Sequence, residues 1–210
     1  TNIRYREYRI KAIDLFSDWA IKDRDIGMET NHLPAVQKMI DILLMDNRRR
    51  FSFVDVGCGN GYVVRKISEL EQCVMSVGMD GAKEMIKKAK KMDPNGNYYC
   101  SNIVDWVPKL KFDYIHSMEV MYYLEDPEKT IKRIVNNWLE VKGVMIMGVD
   151  YYLENEKSHS WPKDLNVPMK LLSISQWTDI LKKSGLNKVN YLQANKRVNF
   201  SGTLILYGRK

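Results

Sequence analysis

Apolar residues recur along this chain with two different periods, and the first change between them falls near residue 51. Between residues 4 and 20, Tyr5, Tyr8, Ala12, Leu15 and Trp19 stand three or four places apart or at multiples of that spacing, which predicts an amphipathic helix. Residues 21–33 show no such stripe and read as a loop. Pro34 then reads as the opening of a second helix, a position where its missing N–H is harmless, with Val36, Met39, Ile40, Leu43 and Leu44 as the apolar face.

From Phe51 onward short apolar runs alternate with helical stripes. Strands are expected at 51–56, 74–79, 97–100, 112–117 and 142–149, with helices after the first, second and fourth of them. Asp126-Pro127-Glu128 supplies a cap, a first-turn proline and a first-turn acid, predicting a helix from there to about Leu139. Ser175 is expected to cap a last helix that Gly185 ends. Residues 187–193 and 203–208 then read as a strand pair joined by a hairpin-like return. Strands separated by helices imply a parallel sheet covered on both faces, because parallel pairs need crossovers. The closing return implies that one late strand runs antiparallel.

The fold expected is therefore α/β: a Rossmann-like three-layer sandwich on a mostly parallel sheet, its last strand antiparallel, with an N-terminal helical cover. The expected division is a single domain with the cover at 1–46, a core at 47–149, a lid or substrate loop at 150–174, and a terminal helix and strand pair at 175–210. At about 25 residues, the 150–174 segment far exceeds the usual connection of roughly 4–6.

Composition narrows the function classes. With 45% apolar and 28% charged residues the chain reads as a folded, soluble protein; it has no apolar run of membrane-spanning length and no secretory leader, so the expectation is cytoplasmic with no membrane partner. Three cysteines and three histidines show no ligand spacing, so no metal is expected. The net charge of +7 could attract nucleic acid. Yet Lys83, Lys87, Lys88, Lys90 and Lys91 share one helix with Met85, Ile86, Ala89 and Met92, the pattern of a solvated face over a buried stripe. Arg48-Arg49-Arg50 is a second short cluster.

The chemistry is concentrated at Asp55-Val-Gly57-Cys-Gly59-Asn-Gly61, between a strand and a helix. Glycines at a strand's carboxyl end let a ligand approach the backbone, and the helix behind them offers free N–H groups. Nineteen residues on, Asp80 ends the second strand, where a carboxylate can accept from both hydroxyls of a ribose. The third glycine comes one place too early for the dinucleotide fingerprint, which disfavours a nicotinamide dehydrogenase.

The acid-x-Gly-x-Gly-x-Gly run, with residues 50–150 around it, resembles the class I S-adenosylmethionine-dependent methyltransferases. That resemblance implies a seven-stranded sheet and S-adenosylmethionine as cofactor, with S-adenosylhomocysteine as product. It further implies that Asp55, Gly57, Gly59 and Gly61 receive the amino-acid end of the cofactor and that Asp80 and Gly81 lie at the ribose. Asn102 and Ile103 would frame the adenine, although Ser101-Asn102 stands where the family often carries Gly-Asp. Ser117 and Met118 would lie beneath the methionine portion, and Trp19 and Met28, with Tyr5, Tyr8 and His32, would belong to the N-terminal cover.

Candidate catalytic residues are Glu119, Tyr122 and Tyr123 after the fourth strand, Asp150 and Tyr152 after the fifth, and His159 in the long loop. His116, inside the fourth strand, reads as core. The function expected is methyl transfer to a small-molecule acceptor, by a monomer or homodimer. The rivals are an RNA or protein methyltransferase, with nucleic acid the less favoured partner, and a methyltransferase-fold protein that binds without catalysing.

Overall fold

The computed structural model describes residues 10–210, so Tyr5 and Tyr8 lie outside the described residues. Helices α1 (Ala12–Ile21) and α2 (Asp25–Leu44) precede an alternating core: β1 (Phe51–Val56), α3 (Tyr62–Ser68), β2 (Cys73–Asp80), α4 (Lys83–Met92), β3 (Asn97–Cys100) and β4 (Phe112–Met118). It continues with α5 (Pro127–Asn137), β5 (Leu139–Val149), α6 (Trp161–Leu165), α7 (Ile174–Lys183), β6 (Asn187–Ala194) and β7 (Thr203–Arg209).

The seven strands form one sheet in the order β3-β2-β1-β4-β5-β7-β6. The β1–β2, β1–β4, β2–β3 and β4–β5 pairs are parallel, while β7 runs antiparallel to both β5 and β6. The expected alternation and the antiparallel late strand are both present. Order reverses at β1, with β2 on one side and β4 on the other, so a crevice opens at the carboxyl ends of these strands.

Every residue of β1 is buried, as expected for a central strand covered on both faces. One core layer joins α5 and α7 to the sheet through Ile131, Ile134, Trp138, Trp177 and Leu181. The other places Val36, Met39, Ile40 and Leu43 of α2 against Phe51, Phe53, Tyr114 and Ile146. The stripe expected on α2 is therefore real.

Its beginning is not where the sequence suggested. Pro34 lies inside α2, and residues 25–33 are helical rather than a loop. An internal proline removes one backbone hydrogen bond and ordinarily breaks a helix. Here tertiary contacts anchor the first turn: buried Asp25 accepts from Asn60 Nδ2 at 2.9 Å and pairs with Lys88 Nζ at 2.7 Å. The last helix is capped by Ser173 instead of Ser175, because only Ser173 completes a capping box with Gln176. The long 150–174 segment contains α6 and buries Tyr151, Tyr152, Val167 and Met169, so much of it is packed.

Cationic side chains are less free than composition implies. Lys88 bridges Asp23 and Asp25, and Lys87 meets Glu84. Arg48 joins Asp46 to Asp113 and donates to the Lys142 carbonyl. On α4, Met85, Ile86 and Ala89 are buried as expected, while Met92 is exposed. Among the described residues no helix is long and apolar enough to cross a membrane.

Candidate functional site

A cleft of about 390 Å³ opens at the carboxyl ends of β1, β2 and β4. Gly57, Gly59, Asn60, Asp55 and Asp80 form its floor, with Met118, Glu119, Val120, Tyr122 and Tyr123 beside them. Phe16 and Trp19 of α1, Asp25, Met28, Glu29 and His32 of α2, and Trp161, Asp164 and Leu165 of α6 complete the walls.

The backbone of the glycine turn is left-handed at three points, with φ of +78° at Gly57, +52° at Gly59 and +79° at Gly61. At Gly57 a Cβ would also sit 2.2 Å from Val120 Cγ2, so the turn and the loop after β4 touch backbone to side chain. At Gly59 nothing lies nearer such a Cβ than Met85 Sδ at 4.0 Å, which leaves room for a ligand against the main chain. Asp80 locks the turn in place: Oδ2 accepts from Gly59 N at 2.9 Å, and Oδ1 accepts from Ala82 N at 2.7 Å. Burial raises its pKa, offset in part by these N–H donors.

Asp55 is buried and its Oδ1 lies 2.7 Å from Nδ1 of His116. His116 is fully enclosed on β4, as the sequence suggested, but the partnership was not legible because the two residues are 61 apart in the chain. Asn60 ties the turn to α2 through Asp25 and accepts from Tyr62 N.

After β4 the chain enters Glu119 in a left-handed conformation, φ +60°. Its carboxyl accepts from the Tyr122 hydroxyl at 2.7 Å and from the backbone N–H of Asp150. His32 Nε2 stands 3.9 Å from Asp150 Oδ2. One ligand atom from each of His32, Glu119 and Asp150 lies within 4.8 Å of the others. Burial, then the neighbouring Asp150 charge, pushes the Glu119 carboxyl well above the usual range. Burial also raises Asp150, offset by Thr203 and His32, and it lowers His32, which Asp150 partly restores. A side chain lowered in this way is a neutral imidazole near neutral pH, able to take a proton.

Aromatic rings form a continuous belt along this wall. Trp19 meets Phe16, Phe16 meets Tyr123 edge-on, Tyr123 packs on Tyr122, Tyr122 on Tyr151 and Tyr151 on Trp161, with centroids 4.4–6.4 Å apart.

The structure thus brings Asp55, Gly57, Gly59, Asp80, Met118, Glu119, Tyr122, Tyr123, Trp19 and Met28 to one cleft, with Asp150 behind Glu119. It does not bring Tyr152 or His159 there. Tyr152 donates to the Gly202 carbonyl and accepts from Gln193, at the β6–β7 end, and His159 Nε2 donates to Leu153 O within its own loop. Asn102, Ile103, Ser117, Gly61 and Gly81 do not line the cleft either. Asn102 caps its own turn by accepting from Val104 N, Ile103 is in the core, and Ser117 donates to Val56 O. At Gly61 a Cβ would meet the Tyr98 ring at 2.5 Å, and at Gly81 it would meet Ile13 at 2.5 Å, so both serve close packing.

Asp25, Glu29 and His32 were missed as a set. They stand at i, i+4 and i+7 of one helix, a stripe that is polar, and an apolar search passes over it.

The family model described as a methyltransferase domain matches residues 11–191. Trans-aconitate 2-methyltransferase of Rhodopseudomonas palustris strain BisB18 is 27% identical over 156 residues, 72% of this chain and 59% of that protein. Malonyl-[acyl-carrier protein] O-methyltransferase of Bacillus anthracis is 28% identical over 118 residues, 52% and 44% respectively. The chain spans about half the length of the curated relatives it matches. Among solved structures, the protein bound to the Trm112 methyltransferase activator of Haloferax volcanii superposes with a TM-score of 0.80 at 23% identity, covering 92% of this chain and 96% of that one. The N-methyltransferase NodS of Bradyrhizobium japonicum WM9, in complex with S-adenosylhomocysteine, gives 0.65 at 19%, covering 82% and 84%.

Proposed function

The chain belongs to the methyltransferase-domain family, and from that premise we propose that it transfers the methyl group of S-adenosylmethionine to a small-molecule acceptor held in the cleft. The observation that carries this reading is the cleft itself: a half-open space of about 390 Å³ with an open glycine backbone at Gly59 and two strand-end carboxylates on its floor. That size suits a small ligand, since such pockets run roughly 300–1,000 Å³.

The residues fit the cofactor. Asp80 spends one lone pair of each oxygen on backbone N–H groups and keeps capacity to accept from ribose hydroxyls. Gly59 leaves the main chain open to the amino-acid portion, Asp55 stands beside it, and Trp19, Met28 and Met118 offer apolar surface. When bound, S-adenosylmethionine supplies an electrophilic methyl group on a sulfonium. The chain's part is then to hold an acceptor in line, exclude water and remove a proton. Glu119, Tyr122 and Tyr123 bound the acceptor space, and His32 is the base, held neutral by burial and steadied by Asp150.

A macromolecular acceptor is the rival reading, and the basic charge is its support. Against it, Arg48, Lys87 and Lys88 are engaged in ion pairs, and no lysine or arginine among the described residues lines the cleft. We therefore expect methyl transfer to depend weakly on salt, because a small acceptor releases few counterions. The measurement is turnover of labelled cofactor across a salt series. A log–log slope steeper than about −3, with RNA carrying the label, would promote the rival. Appearance of S-adenosylhomocysteine with any acceptor removes the non-catalytic alternative.

A further inference from the structure

Resting on that reading, we propose that the acceptor is a small amine, bound as its ammonium ion among His32, Glu119 and Asp150 and beside the ring of Tyr123. Three observations support this.

The first is the geometry of the ring. Three acceptor atoms that all lie within 4.8 Å of one another leave a common point within about 2.8 Å of each, a hydrogen-bond distance from nitrogen to oxygen. A primary ammonium has three N–H donors to match three acceptors.

The second is an unmet demand. Asp150 is 7% exposed, its Oδ1 has no hydrogen-bond partner within 3.5 Å, and the Thr203 side chain and His32 are the groups that ease its charge. Glu119 carries the second carboxylate of the ring, and no cationic side chain among the described residues lines the cleft. Two enclosed carboxylates without a counter-cation are costly, and an ammonium between them relieves both. A carboxylate acceptor would be repelled by the same pair.

The third is the aromatic wall. Tyr122 is buried between Tyr123 at 4.4 Å and Tyr151 at 5.5 Å, so Tyr123, edge-on to Phe16, is the ring that meets a ligand in the cleft. Aromatic faces attract cations, and more strongly where water is excluded.

The ammonium gives one proton to His32 Nε2, and rotation about its C–N bond then turns the exposed lone pair from His32 toward the methyl group. That lone pair forms the N–C bond to the methyl carbon while the C–S bond breaks, its electron pair staying on sulfur. The methylated nitrogen and the thioether product leave, and His32 returns its proton to solvent.

Calorimetry with S-adenosylhomocysteine bound tests this without turnover. The probes are matched pairs differing only in head group: benzylamine against benzoate, and 2-phenylethylamine against 3-phenylpropanoate. The amine of at least one pair should bind at least tenfold tighter than its carboxylate. Its binding should release protons, read from heats in buffers of different ionisation enthalpy, because the ammonium lowers the raised affinity of Glu119 and Asp150 for protons. Glu119→Gln and Asp150→Asn should each weaken the amine at least tenfold while leaving S-adenosylhomocysteine affinity within about twofold. Tighter binding of the carboxylates, binding of neither amine, or amine binding that disappears with EDTA would overturn the proposal. Failure of S-adenosylhomocysteine itself to bind would instead remove the reading on which it rests.

Discussion

Asp80→Ala is expected to raise the dissociation constant for S-adenosylhomocysteine by about 10- to 150-fold, equivalent to about 1.5–3 kcal/mol for hydrogen bonds to a charged group. The carboxylate lies at the end of β2, where the ribose is proposed to sit, and its loss removes the acceptor for both hydroxyls. The structure adds a second consequence, because the same carboxylate accepts from Gly59 N and Ala82 N. Removing it leaves two backbone donors unpaired and loosens the turn. A melt without ligand should therefore show a lowered midpoint as well. Asp80→Asn, which keeps one acceptor oxygen, should fall between the wild type and Asp80→Ala in both measurements. Burial has raised the Asp80 pKa, so affinity should decline as pH falls through that raised value and the acceptor becomes a neutral acid. An unchanged dissociation constant in a folded Asp80→Ala protein would mean that the ribose is held elsewhere.

Gly57→Ala has the second large effect, and it acts on fold and site together. The left-handed φ of +78° costs an alanine about 1–2 kcal/mol. The added Cβ would also meet Val120 Cγ2 at 2.2 Å, with Val120 Cβ and Cγ1 at 3.3 Å. A valine cannot swing clear as a flexible chain would, so the Glu119–Val120 segment has to move. We expect a loss of about 2–4 kcal/mol, at about 2–4 °C of melting temperature per kcal/mol for a domain of this size. Displacement of Glu119 should cut turnover further than the stability loss alone accounts for. Val120→Ala in the Gly57→Ala background should restore part of the stability, and a double-mutant cycle isolates that coupling. A Gly57→Ala protein that melts with the wild type would show that the turn and the β4 loop do not press on each other.

What the sequence revealed, and what it hid, follows from the range of each interaction. The glycine turn, Asp80 and the strand–helix alternation were legible because each is local. Turn chemistry and hydrophobic period are written in neighbouring residues. The first two turns of α2 were hidden because their anchors, Asn60 and Lys88, lie 35 and 63 residues away from Asp25. Without those contacts Pro34 is a reasonable helix start. The same misreading concealed His32 as a partner of Asp150, since a loop fixes no face. Tyr152 and His159 lie outside the cleft lining for a different reason. Position after a strand end says that a side chain is near the cleft, not which way it points, and both found partners within their own part of the fold. The Asp55–His116 pair required knowing that β1 and β4 are neighbours in register.

The central claim is that the cleft over the glycine turn is a site for S-adenosylmethionine. Calorimetric titration of the unmodified protein with S-adenosylhomocysteine, S-adenosylmethionine, NAD and NADP tests it most directly. Saturable one-to-one binding of the two adenosyl sulfur compounds, and none of either nicotinamide cofactor, is the expected result. Binding of NAD with no response to S-adenosylhomocysteine would contradict it.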